Sequence, residues 1–138
     1  MAKVKCKGTV LQQDIASTLT DIAQIISIEL PEAENETYEA DTLDNSGAGI
    51  PYELTGRTEG GSVSFEMFFD PALAGHQEFT DKLTTPADDS YKIIFADSGT
   101  TEWAFTGSGV SLGGTVDLAD GLKANVTIKV DGIVTYPT

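Results

Sequence analysis

From Gly60 to Thr135 apolar and polar residues alternate along the chain with one short interruption, and that alternation limits the fold more than any other feature. A period of two places successive side chains on opposite faces of a strand. The first strand of the run, 62–69, puts Val63, Phe65, Met67 and Phe69 on one face. The last, 122–136, puts Leu122, Ala124, Val126, Ile128 and Val130 inward and Asn125, Thr127, Lys129 and Asp131 outward. Between them, 90–96 (Tyr91, Ile93, Phe95) and 101–107 (Trp103, Phe105) flank Asp97-Ser98-Gly99-Thr100, the composition of a hairpin turn. Gly107, Gly109, Gly113 and Gly114 are expected to bend the chain as that strand leaves the core. The interruption is helical. Asp70-Pro71 predicts an N-cap followed by a first helical residue, and Leu73, His76, Phe79 and Leu83 recur at helical spacing to about residue 83. The expected fold is mainly β, a sandwich or barrel with one flanking helix.

The N-terminal part differs in kind. Residues 1–13 read as an arm or edge strand, with Val4 and Cys6 on one side and Lys3, Lys5 and Lys7 on the other. Residues 14–19 read as loop. Residues 20–30 read as a strand with Ile26, Ile28 and Leu30 inward and Ser27 and Glu29 outward, ended by Pro31. From Glu29 to Glu59 there are nine acids and one base, Arg57. Short strands are expected at 36–42 and 52–58. The Asn45-Ser46-Gly47-Ala48-Gly49 cluster and Pro51 mark turns, so 41–58 reads as one long exposed loop. Loops of that length are uncommon in small domains unless they have work to do, and contact with a neighbouring subunit is the expected work.

The length of 138 residues predicts a single domain, 1–138, able to bury a core without staples. A chain of 14.6 kDa should fold to a surface of about 7,000 Å². No apolar run is long enough to span a membrane, and no secretory leader pattern follows the basic start, so a cytoplasmic product is expected. The lone Cys6 excludes an internal disulfide and reads as a small inward hydrophobe. The charge of −14, from 22 acids and 8 bases, argues against binding nucleic acid through phosphates.

Candidate chemistry is sparse. His76 is the only histidine, with no cysteine or nucleophile elbow near it, and reads as structural. The pairs Asp88-Asp89 and Asp117/Asp120 lack the spacing of a calcium loop and read as solvated turns. The glycine-rich 107–114 has no lysine and lies in a β region, unlike a phosphate loop. Phe65, Phe69, Trp103 and Phe105 sit where strand packing explains them. No cofactor or metal is expected. A small hydrolase would need a nucleophile and base that the chain does not supply.

Four segments in order carry a family resemblance: Ala40-Asp41-Thr42-Leu43-Asp44-Asn45 before a glycine-containing loop; Gly60-Gly61-Ser62-Val63-Ser64-Phe65-Glu66 with Phe69-Asp70-Pro71; the pair Tyr91-Lys92-Ile93-Ile94-Phe95 and Trp103-Ala104-Phe105-Thr106-Gly107; and Val126-Thr127-Ile128-Lys129-Val130-Asp131-Gly132-Ile133-Val134-Thr135. Over about residues 20–136 the chain resembles the lambda-like tail tube proteins of siphophages. The resemblance implies the fold shared with the type VI secretion tube protein, without the extra C-terminal immunoglobulin-like domain of some members. It implies six subunits closing a ring, sheets joined across subunits, and rings stacked into a tube through which DNA passes without specific binding. It also implies no enzymatic activity and no cofactor. The implied partners are further copies and other tail proteins such as initiator, tape measure and terminator, with no membrane. The implied location is the virion, after assembly in the host cytoplasm. The basic arm (Lys3, Lys5, Lys7) and the acidic loop (Asp41, Thr42, Leu43, Asp44, Asn45, Ile50, Tyr52, Arg57) are the expected subunit interface. The alternative is a carbohydrate- or receptor-binding β-sandwich module of a tail or adhesin, which predicts a cleft with exposed aromatics.

Overall fold

The computed structural model describes residues 7–15, 18–97, 99, 101–119 and 121–136. Its elements run β1 (Val10–Ile15), β2 (Thr18–Asp21), β3 (Ile25–Glu29), β4 (Glu34–Glu39), β5 (Tyr52–Glu59), β6 (Ser62–Phe68), α1 (Ala74–Thr84), β7 (Asp89–Ile94), β8 (Glu102–Asp117) and β9 (Gly121–Thr135). Seven strands form one antiparallel sheet in the order β2-β1-β7-β8-β9-β6-β3, while β4 and β5 form a separate two-stranded ribbon.

The two outermost strands of the sheet are neighbours in sequence. Only Ile22, Ala23 and Gln24 separate β2 from β3. Laid flat, seven strands would hold their outer members about 29 Å apart. The link from Asp21 to Ile25 spans at most about 15 Å. The sheet is therefore curled until its ends approach, without the hydrogen bonds that would close it. Backbone bonds fix the crossing at both sides: Ile22 N–H donates to Leu11 O (2.9 Å) and Phe68 N–H to Gln24 O (3.0 Å). Gln24 takes φ 66°, a left-handed conformation that side chains other than Gly, Asn or Asp seldom adopt.

The core lies on one face of this sheet, as the alternation of β6 and β9 requires. The register pairs Val63 with Ile128, Phe65 with Val126 and Met67 with Ala124, all buried. Leu11, Tyr91, Ile93 and Phe105 extend the same face across β1, β7 and β8. Helix α1 covers it, with the Phe79 ring 5.5 Å from that of Phe65. Gly107 sits where a Cβ would overlap Tyr91 and Ile128, so only glycine permits this packing. Two polar side chains share the buried face. Gln13, opposite Tyr91, has neither amide atom hydrogen-bonded, and the Tyr91 hydroxyl is also without a partner among the described residues. Burial pushes the Tyr91 hydroxyl pKa up, and the charges of Asp89 and Glu78 add to it.

Several expectations need correction. Helix α1 begins at Ala74, behind an N-cap at Leu73 that makes no side-chain cap, rather than at Pro71 behind Asp70. The Asp70 carboxylate instead accepts from Ala72 N–H (3.0 Å), and its carbonyl accepts from Leu73 N–H (3.1 Å), closing a separate turn. The buried stripe is His76, Phe79 and Lys82, while Leu83 is exposed. Lys82 lies inside because Nζ meets Asp89 at 2.8 Å and Glu78 at 3.3 Å while its stem covers apolar surface. On β3 the inward residues are Ile25 and Ile28; Ile26 is 46% and Leu30 41% exposed. A bulge between Ile25 and Ser27 against β6 reverses the parity there. Residues 10–13 form no arm, because β1 is paired on both sides. Much of 14–19 is strand rather than loop. Strand β8 continues to Asp117 instead of bending away: Gly109, at φ 73°, accommodates a bulge at Ser108/Val110 and pairing with β9 resumes. Leu122 is exposed rather than inward.

His76 joins three segments. Nδ1 accepts from Asp70 N–H (2.9 Å), so the proton is on Nε2, which donates to Ala23 O (2.8 Å). The ring stacks on Phe69 at 5.7 Å and 13°. His76→Ala should cost about 2–4 kcal/mol, from the cavity and the two abandoned backbone groups. Urea denaturation measures it, and a loss within error of zero would show that the crossing does not depend on this ring.

Candidate subunit interface

The acidic segment folds as a projecting hairpin. Strands β4 and β5 pair Asn35 with Thr58, Thr37 with Leu54, Tyr38 with Glu53 and Glu39 with Tyr52. The expected loop at 41–58 is thus a shorter tip followed by strand β5. Two further residues on β5 are absorbed in a bulge containing Gly56 at φ 90°. Across it the Arg57 guanidinium donates to the Glu36 carboxylate. That hydrogen bond, and then the Glu36 charge, raise the arginine pKa above its ordinary value.

A two-stranded ribbon alone is marginal in water, so its base must be held. Gly60 and Gly61 hold it. A Cβ on Gly60 would overlap Val130 and the Gly132 carbonyl, and one on Gly61 would overlap the Glu32 backbone. Val130 N–H donates to Gly61 O at 3.0 Å, and Pro31 is buried beside this junction.

The tip, 40–51, is ordered by its own polar groups. Ala40 N–H donates to Pro51 O (2.9 Å) and closes the loop. Inside it, the Asn45 amide donates to the Asp41 carboxylate (2.7 Å) and Gly49 O (3.2 Å) and accepts from Gly47 N–H (3.0 Å). The Thr42 hydroxyl donates to Asp44. This polar network leaves the apolar residues outside: Leu43, Ile50, Tyr52, Leu54 and Tyr38 are all exposed. Exposed apolar side chains on a stiff, projecting hairpin suit a protein contact.

The expected interface residues divide accordingly. Asp41, Thr42, Leu43, Asp44, Asn45 and Ile50 come together at the tip, while Tyr52 and Arg57 stand lower on β5. Lys7 is exposed ahead of β1, away from any ion pair among the described residues. Lys3 and Lys5, like Val4 and Cys6, lie outside the described residues. A second exposed apolar group, Val116 and Leu118, stands at the β8–β9 tip. The sequence reading missed it, because glycines that serve as strand residues look the same as glycines that end a strand. There Asp117 accepts from Ala119 N–H at 2.9 Å as a turn residue.

The extra surface is measurable. The accessible area is 9,241 Å², above the roughly 7,000 Å² of a compact monomer this size. Every residue from 41 to 59 is exposed, and these residues are one source of the excess.

The sequence model of the family described as "Lambda phage tail tube protein, TTP" matches residues 5–136. No curated protein sequence matches the chain. Among solved structures, a chain of the tail of an empty gene transfer agent particle, refined with C6 symmetry, superposes with a TM-score of 0.72 at 14% identity, covering 97% of this chain and 98% of that one. The SPP1 tail tube gives 0.73 at 7% identity, covering 98% and 80%. The sheath/tube terminator of an extracellular contractile injection system gives 0.73 at 9% identity, covering 100% and 99%. At these identities the likeness is one of fold.

Proposed function

The chain belongs to the lambda phage tail tube protein family and is a structural tail tube subunit, and we propose that six copies close a ring and that rings stack around a channel for DNA. The observation that carries this reading is the outward hairpin: a close-packed glycine base, a tip stiffened by its own hydrogen bonds, and apolar side chains left in solvent. In the proposal the tip residues Asp41 to Asn45 with Ile50, and Tyr52 and Arg57 on β5, contact the next subunit. The lysines of the N-terminal stretch meet this acidic hairpin through opposite charge. The likeness to a C6-refined tail supports the ring of six.

The role is mechanical, with no reaction and no cofactor. A charge of −14 suits a conduit, since carboxylates do not retain phosphates. Initiator, tape measure and terminator are the proposed further partners, and the host cytoplasm the proposed place of assembly. A sugar-binding module is not favoured. Trp103 is packed edge-on between Phe95 (5.4 Å) and Tyr136 (4.8 Å), and Tyr38 and Tyr52 occupy opposite faces of the ribbon.

The test is negative-stain electron microscopy of the purified chain, concentrated stepwise and supplied with sheared tail fragments as seeds, with light scattering on the same samples. Rings or hollow tubes are expected. A chain that stays monomeric even when seeded would overturn the reading.

A further inference from the structure

We infer that a groove on the face of the sheet turned away from the core, between Leu19 and Ile133, takes a lysine or arginine side chain of a different protein, with Asp14 as its acid. The groove follows from the register. Tyr91, Phe105 and Val134 are buried on the core face, so their strand neighbours Ser90, Lys92, Ala104, Thr106 and Ile133 lie on the opposite one. On β1 the buried Gln13 turns inward, which puts Asp14 on that same opposite face, paired across from Leu19 of β2. The strand order β2-β1-β7-β8-β9 then sets Leu19 and Asp14 on one side and Ile133 on the other. The two strands between them contribute Ser90, Ala104 and Thr106, which are small. Small side chains flanked by larger ones make a trough. Its volume is about 390 Å³, near the lower limit for a small-ligand site, and suits one side chain rather than an added strand.

The chemistry of the lining selects the occupant. Asp14 is half-buried and borders the groove. Its Oδ1 is shut off from water and has no hydrogen-bond partner among the described residues. Lys92, which also borders the groove, is engaged by Glu102 at 3.4 Å. A carboxylate with one desolvated, unpartnered oxygen gains from a donor that carries positive charge. Leu19 and Ile133 are both exposed, with Ala104 between them on the floor. Apolar walls beside a single unsatisfied acid match a side chain that is aliphatic along its stem and cationic at its tip.

A different protein is favoured over a second copy. The described bases Arg57, Lys82, Lys92 and Lys123 each hold an acid of their own. The lysines of the N-terminal stretch are already assigned to the acidic hairpin in the proposed ring. A chain with 22 acids and 8 bases has few cations to offer itself, whereas its charge of −14 draws a basic partner. The groove does not depend on the ring reading, and either can fail without the other.

The test is nuclear magnetic resonance of the isotope-labelled full chain, titrated at low salt with N-acetyl-lysine methylamide. N-acetyl-norleucine methylamide has the stem without the charge and serves as the control. The expected result is saturable shifts of the Leu19, Ser90, Ala104 and Ile133 amides, with the norleucine probe about tenfold weaker, as the loss of one charge-assisted hydrogen bond requires. Asp14→Asn should weaken lysine binding by about the same factor. Ile133→Ser, at an exposed position that the fold tolerates, should weaken both probes. Circular dichroism establishes that each variant folds, and if Asp14→Asn does not, the two probes and Ile133→Ser decide. The absence of saturable shifts at these amides overturns the proposal. So do equal binding of the two probes, unchanged binding in folded Asp14→Asn or in Ile133→Ser, or shifts confined to the hairpin at 34–59, which would be general attraction to an acidic chain. Loss of assembly in folded Asp14→Asn would put a second copy in the groove and overturn the assignment to a different protein.

Discussion

A chain lacking residues 42–50 should fold to a monomer of nearly unchanged stability and form no tubes. None of the deleted residues is buried. Their hydrogen bonds are made to one another and to Asp41. The flanking residues are already in hairpin register, since Ala40 N–H bonds to Pro51 O and Glu39 pairs with Tyr52. Removal therefore shortens the ribbon without disturbing the sheet, and exposed changes of this kind cost within about 1 kcal/mol. Assembly loses the stiff tip with Leu43 and Ile50, an all-or-none effect if that tip is a ring contact. Circular dichroism with thermal melting would report the fold, and electron microscopy at concentrations where wild type assembles would report the function. Normal tubes from this deletion would remove the hairpin tip from the interface.

The second large effect runs in the opposite direction. Gln13→Met should stabilise the monomer by about 1–3 kcal/mol, since a buried amide without partners costs about that much. Gln13 is 0% exposed and neither amide atom finds a hydrogen bond. Methionine nearly matches its shape and fits an irregular gap. The site faces Tyr91, whose hydroxyl is in the same position, so Tyr91→Phe should add little cost or a smaller gain. The two residues are cross-strand partners, so their effects need not add. A rise in the urea midpoint at constant slope is the expected reading. A fall for Gln13→Met would mean that ordered water completes the amide.

How far the sequence revealed this molecule depended on whether a signal was periodic. Strands β6 and β9 were legible because each buries one face, and burial of one face writes itself as alternation. The β7–β8 hairpin and the existence of α1 were legible for the same reason. Strand β5 was only partly so. All of its residues are exposed, so no face imposes a pattern, and 52–58 was read both as a short strand and as part of the long loop 41–58. The bulge after Ile25 was invisible, since a bulge changes parity without changing composition. The helix start was misplaced because Asp70 can serve a turn as well as a cap, and which one it serves depends on His76. Burial of Lys82 depended on Asp89, which reaches it only once β7 is docked. The hairpin tip was marked in the sequence by its acids and turn residues, but the open side of β8 beyond Gly107 was not, since the sequence does not show that a strand lacks a neighbour.

The order of strands in the sheet sets a constraint on synthesis. The last strand made, β9, lies between β8 and β6, and β6 in turn holds β3. A nascent chain released from the ribosome short of Gly121 therefore cannot join the two portions of the sheet, whatever its earlier strands do. The long end of β8 and, through β6, strand β3 both depend on that late insertion. A growing tube would accordingly take up only subunits whose translation has passed this strand, a proofreading of length that requires no separate factor.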